Sequence, residues 1–177
     1  FNGEIGRELD LDYRVNPPLA DSQFELPPGY EQPQAAAEPE RLKKVTDAVY
    51  LDSHMSGVMI VEFQDFLVVV QCPGDYNMAN STIEALRVAF PDKPVRYVVP
   101  SHTHGDHGGG ARAYFHAGAT LVTTPGHAEF YRRLARVSRT ISPDPYDAAK
   151  AAPSIETFRG KRVISDGHQT MVVHDIG

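Results

Sequence analysis

Three histidines and an aspartate crowd into one short string, His102-Thr103-His104-Gly105-Asp106-His107. On a helix, side chains two apart do not face each other. His102 and His104 therefore converge only on an extended backbone, and the strand read over Val95 to Val99, which ends at Pro100, supplies one. Two imidazoles on one face of such a segment can hold a single metal ion at ~2.0–2.1 Å from each nitrogen. Asp106 and His107 follow where the chain turns towards helix. There they can close a second metal site beside the first, or Asp106 can hold an attacking water. Neutral imidazoles with a carboxylate suit zinc, and manganese, iron or cobalt are also compatible. Gly108-Gly109-Gly110 predicts a helix start that approaches metals and substrate closely and turns its positive end towards an anion.

The elements that must position this string are legible on both sides of it. Val45 to Leu51 reads as a strand. Val58 to Phe63 and Phe66 to Cys72 read as a hairpin turning at Gln64-Asp65. The run Phe66-Leu67-Val68-Val69-Val70 is continuously apolar, the pattern of a strand buried on both faces. Ser81-Thr82-Ile83-Glu84 has the form of a capping box, with Ile83, Leu86 and Phe90 as the inward stripe and Pro91 as the stop. After the histidine string a helix is predicted through Ala117 with Gly118 as its stop, then a strand over 119–123. Thr124-Pro125 opens a further helix whose Phe130, Leu134 and Val137 share a face. A polar loop over 142–153 leads to strands near 154–158 and 162–165, an Asp166-Gly167 turn and a last strand over 171–176. Strands alternating with helices and flanked by hairpins predict a mixed α/β sandwich.

Upstream, residues 7–15 alternate apolar and polar as a half-buried strand does, and Asp21 to Leu26 fits a short helical turn. The domain reading is 1–30 as an N-terminal strand and turn, either packed on the main domain or the tail of a further one; 31–41 as a Pro/Ala linker; and 42–177 as the main domain, expected to be incomplete at its C-terminus.

Composition narrows the function classes. The chain has 177 residues, 17 basic against 23 acidic, a formal charge of −6 and 41% hydrophobic residues. The acidity argues against a nucleic-acid partner, which needs a basic face. No apolar run approaches the ~20 residues that cross a bilayer, so the expected partner is a small-molecule substrate rather than nucleic acid or membrane. Cys72 is the single cysteine, which excludes an internal disulfide or a multi-thiolate zinc site, whereas there are eight histidines. The given sequence opens at Phe1 with no initiator Met and no charged-then-apolar stretch, so it is expected to be a processed or trimmed piece of something longer, with a lean towards a secreted or periplasmic origin.

The string His102 to His107, after an apolar strand and before Gly-Gly, resembles the metal-binding signature of metallo-β-lactamase-fold hydrolases. The resemblance runs from about Leu42 to the end. It implies an αβ/βα sandwich of which this chain carries the N-terminal half, with the metals at one edge of the sheets. It further implies that His102 and His104 bind a first zinc, that Asp106 and His107 bind a second, and that Asp106 also serves in proton transfer. The implied activity is attack by metal-bound water on an ester, thioester, lactone or lactam-type bond. The alternatives are a catalytically idle fragment of such a hydrolase, paired with its missing half or a second copy, and a nucleic-acid- or phosphodiester-processing member of the same fold.

Three departures from the family pattern stand out. The stretch Val70-Gln71-Cys72-Pro73-Gly74 lacks the aspartate that the family places there to support the metal loop, and Asp75 is out of register for that role. A third metal histidine is expected beyond Gly177, with His168 and His174 as weak candidates. Later ligands belong to the second half of the fold. The loop His54-Met55-Ser56-Gly57 is a weak candidate for substrate contact. His116 is expected near a helix C-terminal end, His127 at the surface rather than as a ligand, and Cys72 as a small buried residue.

Overall fold

The computed structural model describes residues 12–13, 15–30, 40–55, 57–149 and 152–176. The chain divides into two compact units, Phe1–Ala37 and Glu38–Gly177. In the first, the expected short turn forms as a 3-10 helix, Asp21–Phe24, with the Ala20 N–H donating to Gln23 Oε1 at 3.0 Å. Most of the strand expected over 7–15 lies outside the described residues. Its described members Asp12, Tyr13 and Val15 form no strand, and Tyr13 and Val15 are exposed. Most of the Pro/Ala stretch, residues 31–39, likewise lies outside the description.

In the second unit, β1 (Leu42–Thr46) and β2 (Val49–Asp52) form an antiparallel hairpin where one strand over 45–51 is expected. The turn at Asp47-Ala48 carries neither Gly nor Pro, and Asp47 alone is a weak mark of it. β3 (Met59–Glu62) and β4 (Leu67–Val70) add the expected second hairpin. From β4 the sheet turns parallel through helix α1 (Tyr76–Ala89) to β5 (Val95–Val99), then β6 (Thr120–Thr123) and β7 (Ser154–Thr157). The seven strands lie in chain order.

Between β5 and β6 stand two short helices, α2 (Gly105–Gly108) and α3 (Ala111–His116), in place of one continuous helix. After β6 come α4 (Pro125–Arg136) and α5 (Pro145–Ala149), the latter within the expected loop. β8 (Lys161–Ser165) and β9 (Thr170–His174) form a separate two-stranded ribbon.

Alternation along β4 explains the layering. Leu67 and Val69 face the helices, packing with Ile83, Leu86, Tyr114 and Tyr131. Val68 faces the other way, with Val99, Val122 and Ile164 of the ribbon. The continuous apolar run is thus buried on both faces, as its composition requires.

α1 starts earlier than the capping box predicts. Its N-cap is Asp75, whose Oδ1 accepts from the Met78 N–H at 2.9 Å. Ser81 lies inside the helix and donates to Met78 O at 2.7 Å, while Glu84 pairs with Arg87 at 2.6 Å. An equally good cap six residues upstream, just after Gly74 at φ +80°, allows a longer helix. Among the described residues no helix is long and apolar enough to cross a membrane.

Candidate metal centre

β5 delivers the histidine string. Its C-terminal half is buried, and the chain leaves it through Pro100 and Ser101 onto the loop that carries His102 and His104. His104 is extended, at φ −64° and ψ 150°, and serves as the N-cap of α2, so Asp106 and His107 fall in the single turn that follows. One ligand atom each from His102, His104 and Asp106 lies within 4.8 Å of the others. Two ligands at ~2.1 Å from one ion are at most ~4.2 Å apart. An ion therefore needs only small side-chain rotations, and a donor set of two imidazoles and a carboxylate suits it chemically.

His107 is not in that trio but adjoins it. Its ring centroid is 4.2 Å from that of His102, and its Nε2 is 3.5 Å from Asp106 Oδ2. Its Nδ1 is buried without a hydrogen-bond partner. A buried imidazole nitrogen left unpaired is costly unless something coordinates it. Burial holds the His102 imidazole below the ordinary range, and the neighbouring His107 and His104 act in the same direction. His102 is therefore neutral at neutral pH, the form that offers a lone pair to a metal.

The loop is held mainly by backbone. The segment leaving β4 runs alongside it: the Cys72 N–H donates to His107 O at 2.9 Å, the Gly74 N–H to Gly105 O at 2.8 Å, and the Gly110 N–H to Cys72 O at 2.8 Å. From α4, the Tyr131 hydroxyl donates to His102 O at 2.7 Å.

These contacts explain the glycines differently from the sequence reading. A Cβ on Gly108 would stand 2.3 Å from the Tyr131 hydroxyl, and one on Gly109 would stand 2.2 Å from Gly74 O. The glycines admit the protein's own backbone and Tyr131. The anion expected at the helix start also loses its basis, because α2 is a single turn.

Other expected residues fall as follows. Asp75 caps α1 and so does not support the loop. Gln71 occupies that place instead: its Nε2 donates to Ser101 Oγ at 2.9 Å, and the Ser101 N–H donates to Gln71 Oε1 at 3.2 Å. Ser101 Oγ in turn lies 2.9 Å from His102 Nδ1. Nothing in the residue types marks Gln71, Ser101 or Tyr131 in advance. His168 sits in the ribbon turn, with its N–H donating to Asp166 Oδ1, and His174 ends β9. Among the described residues neither joins the His102 cluster.

His54 is exposed, whereas Met55 packs into the helix-side core and the buried Asp52 anchors the turn through the His54 N–H. His116 pairs with the Tyr76 hydroxyl. His127 is half-buried with an unpartnered Nδ1, beside a cavity of about 500 Å³ that Ser101, Met171 and His174 also line. Cys72 is fully buried, and burial pushes its thiol up to about 12, which removes it as a nucleophile at neutral pH.

Comparison with known proteins matches the sequence pattern of the metallo-beta-lactamase superfamily to residues 73–175. No curated protein matches the chain. Solved structures of similar fold include a metallo-beta-lactamase from Pontibacter korlensis, at 20% identity and a TM-score of 0.54, covering 75% of this chain and 59% of that one. A metallo-beta-lactamase HARLDQ-motif mutant from Cronobacter sakazakii gives 19% and 0.54, covering 76% and 52%. A B3 metallo-beta-lactamase with an active-site glutamic acid gives 21% and 0.52, covering 75% and 50%. At these identities the likeness shows the fold alone, and the chain spans between half and three-fifths of those proteins' length.

Proposed function

Given that the chain belongs to the metallo-beta-lactamase superfamily, we propose that the protein is a zinc-dependent hydrolase of ester, thioester, lactone or lactam-type bonds in a small molecule. The observation that carries this reading is the convergence of His102, His104 and Asp106 at the end of β5. His102 and His104 would hold the first ion, and Asp106 with His107 the second. Bound zinc supplies Lewis-acid polarisation and brings the pKa of its water towards ~7.

The chain's own residues do the rest. The neutral His102 imidazole offers its lone pair without first losing a proton. Asp106 is largely exposed at the open side of the cluster. Its carboxylate can accept a hydrogen bond from the attacking water, orient it, and take its proton. Cys72, which donates its N–H to His107 O, is fully buried. The backbone braces from Cys72 and Gly74 hold the donors in place, so little ordering is left to the reaction.

Metal analysis of the full-length protein beside a His102→Ala/His104→Ala variant is the test. We expect zinc in the first and its loss in the second, together with loss of turnover on a panel of thioester, lactone and lactam substrates. Equal metal content in the two proteins would sink the assignment.

A further inference from the structure

The geometry points to Gln71 as a positioning residue that, through Ser101, sets which nitrogen of His102 faces the metal; this rests on His102 being a ligand. Two independent observations meet at Gln71. The first is its backbone. It follows directly on β4 with φ +71°, and Asn16 is the only other non-glycine residue with positive φ among those described. A long side chain in the left-handed region is disfavoured, and such residues persist where something else holds them. The second is what that conformation achieves: it carries the side-chain amide onto Ser101.

The Ser101 N–H can only donate, so it fixes the amide oxygen towards itself and the amide NH2 towards Ser101 Oγ. The Ser101 hydroxyl thus accepts from Gln71. Its own proton has Gln71 Oε1 as an acceptor at 3.3 Å. Ser101 Oγ keeps a lone pair for His102 Nδ1 at 2.9 Å. His102 then carries its proton on Nδ1 and leaves Nε2 free for an ion. Were Ser101 instead to donate to Nδ1, the proton would sit on Nε2 and His102 could not ligate through it. Neither Gln71 nor Ser101 is buried in either apolar cluster, so packing does not account for the pair.

The test uses the full-length protein, first without metal and above the imidazole titration, with histidine-selective nitrogen NMR reading the His102 tautomer. The Nδ1–H form is expected in the wild type, and the Nε2–H form in Ser101→Ala. Zinc affinity, measured by chelator competition, is expected to fall about ten-fold in Gln71→Gly, the lower end of what lost outer partners cost. It should stay near wild type in Gln71→Glu, whose carboxylate accepts both Ser101 protons. Glycine is at ease at φ +71°, so Gln71→Gly should unfold no earlier than wild type, which separates positioning from support of the fold.

An Nε2–H tautomer in the wild type, or wild-type affinity in Gln71→Gly, overturns the inference while leaving the hydrolase reading intact. A wild type that binds no zinc overturns the hydrolase reading and, with it, the inference that rests on it.

Discussion

Replacing Arg112 by Met should cost as much as the larger hydrophobic truncations of a core, although it leaves no cavity. The side chain is 1% exposed, and its guanidinium meets two carboxylates: Nε and Nη2 reach Asp144 at 2.7 and 2.8 Å, and Nη2 reaches Asp147 at 2.6 Å. Nη1 donates to Leu134 O at 3.0 Å and Val137 O at 2.8 Å at the end of α4. The same group stacks over Tyr146, 5.0 Å from its centroid. One residue thus ties α3, the end of α4 and α5 together. Met fills the volume but strands the buried Asp144 carboxylate and the α4 carbonyls.

Breaking such a pair from one side costs about 3–5 kcal/mol. At roughly 3 °C per kcal/mol for a unit of this size, the melting midpoint should drop by about 10 °C. Urea titration of wild type, Arg112→Met and Arg112→Met/Asp144→Leu separates the contributions. The double variant should regain part of the loss, because the stranded charge is gone. A single variant within about 1 kcal/mol of wild type, or a double variant that falls further, would refute the reasoning.

Four further outcomes are expected. Gly109→Ala places a Cβ against two backbone oxygens, Gly74 O at 2.2 Å and Gly105 O at 2.7 Å, and neither can swing away. Urea unfolding should show a loss of about 1–3 kcal/mol or more, with weakened zinc binding. Gly108→Ala meets the Tyr131 hydroxyl, so its cost should be smaller in a Tyr131→Phe background than in wild type, a non-additivity that a double-mutant cycle reads directly. Asp166 accepts from the backbone N–H groups of Gln169, Gln64 and His168, which hold its carboxyl down at about 2. The stability it contributes is full above its unfolded value of ~3.9 and lost as pH falls through about 2, so acid titration of Asp166→Asn should lack that part of the wild-type decline. Cys72 should resist alkylation at pH 8 until the protein unfolds, because its thiol stays protonated until about pH 12.

The sequence made the site's donors readable because their demand is local. Two histidines two apart need an extended backbone, and Val95-Arg96-Tyr97-Val98-Val99, rich in β-branched residues, reads as a strand ending just before them. The β4 strand was equally plain, since a run apolar on both faces has one simple solution. Other features depended on groups far apart in the chain. Tyr131 reaches His102 O across 29 positions, and Gln71 reaches Ser101 across 30. No spacing rule links such pairs. The capping box misled because Asp75 competes with Ser81 for the same task, and only the core-facing set Ala79, Thr82, Ile83 and Leu86 shows that the helix continues through both. The glycines were seen, but their neighbours were not: whether a missing Cβ makes room for a substrate or for Gly74 O is a question of tertiary approach.

The bracing of the loop by Cys72, Gly74 and Gly110 has a consequence for how such a site changes over time. Those bonds run from main chain to main chain, so no side-chain replacement at 102, 104, 106 or 107 removes them. Donor identity and donor placement are thereby separated. An imidazole can give way to a carboxylate, or the reverse, on a track whose course stays the same, and preference among metals can drift one residue at a time. The glycines have no such freedom, because a Cβ at 108, 109 or 110 would run into the Tyr131 hydroxyl, Gly74 O or the Ala79 side chain respectively. In a set of descendants of this chain, variation should therefore gather at the ligands sooner than at Gly108, Gly109 and Gly110.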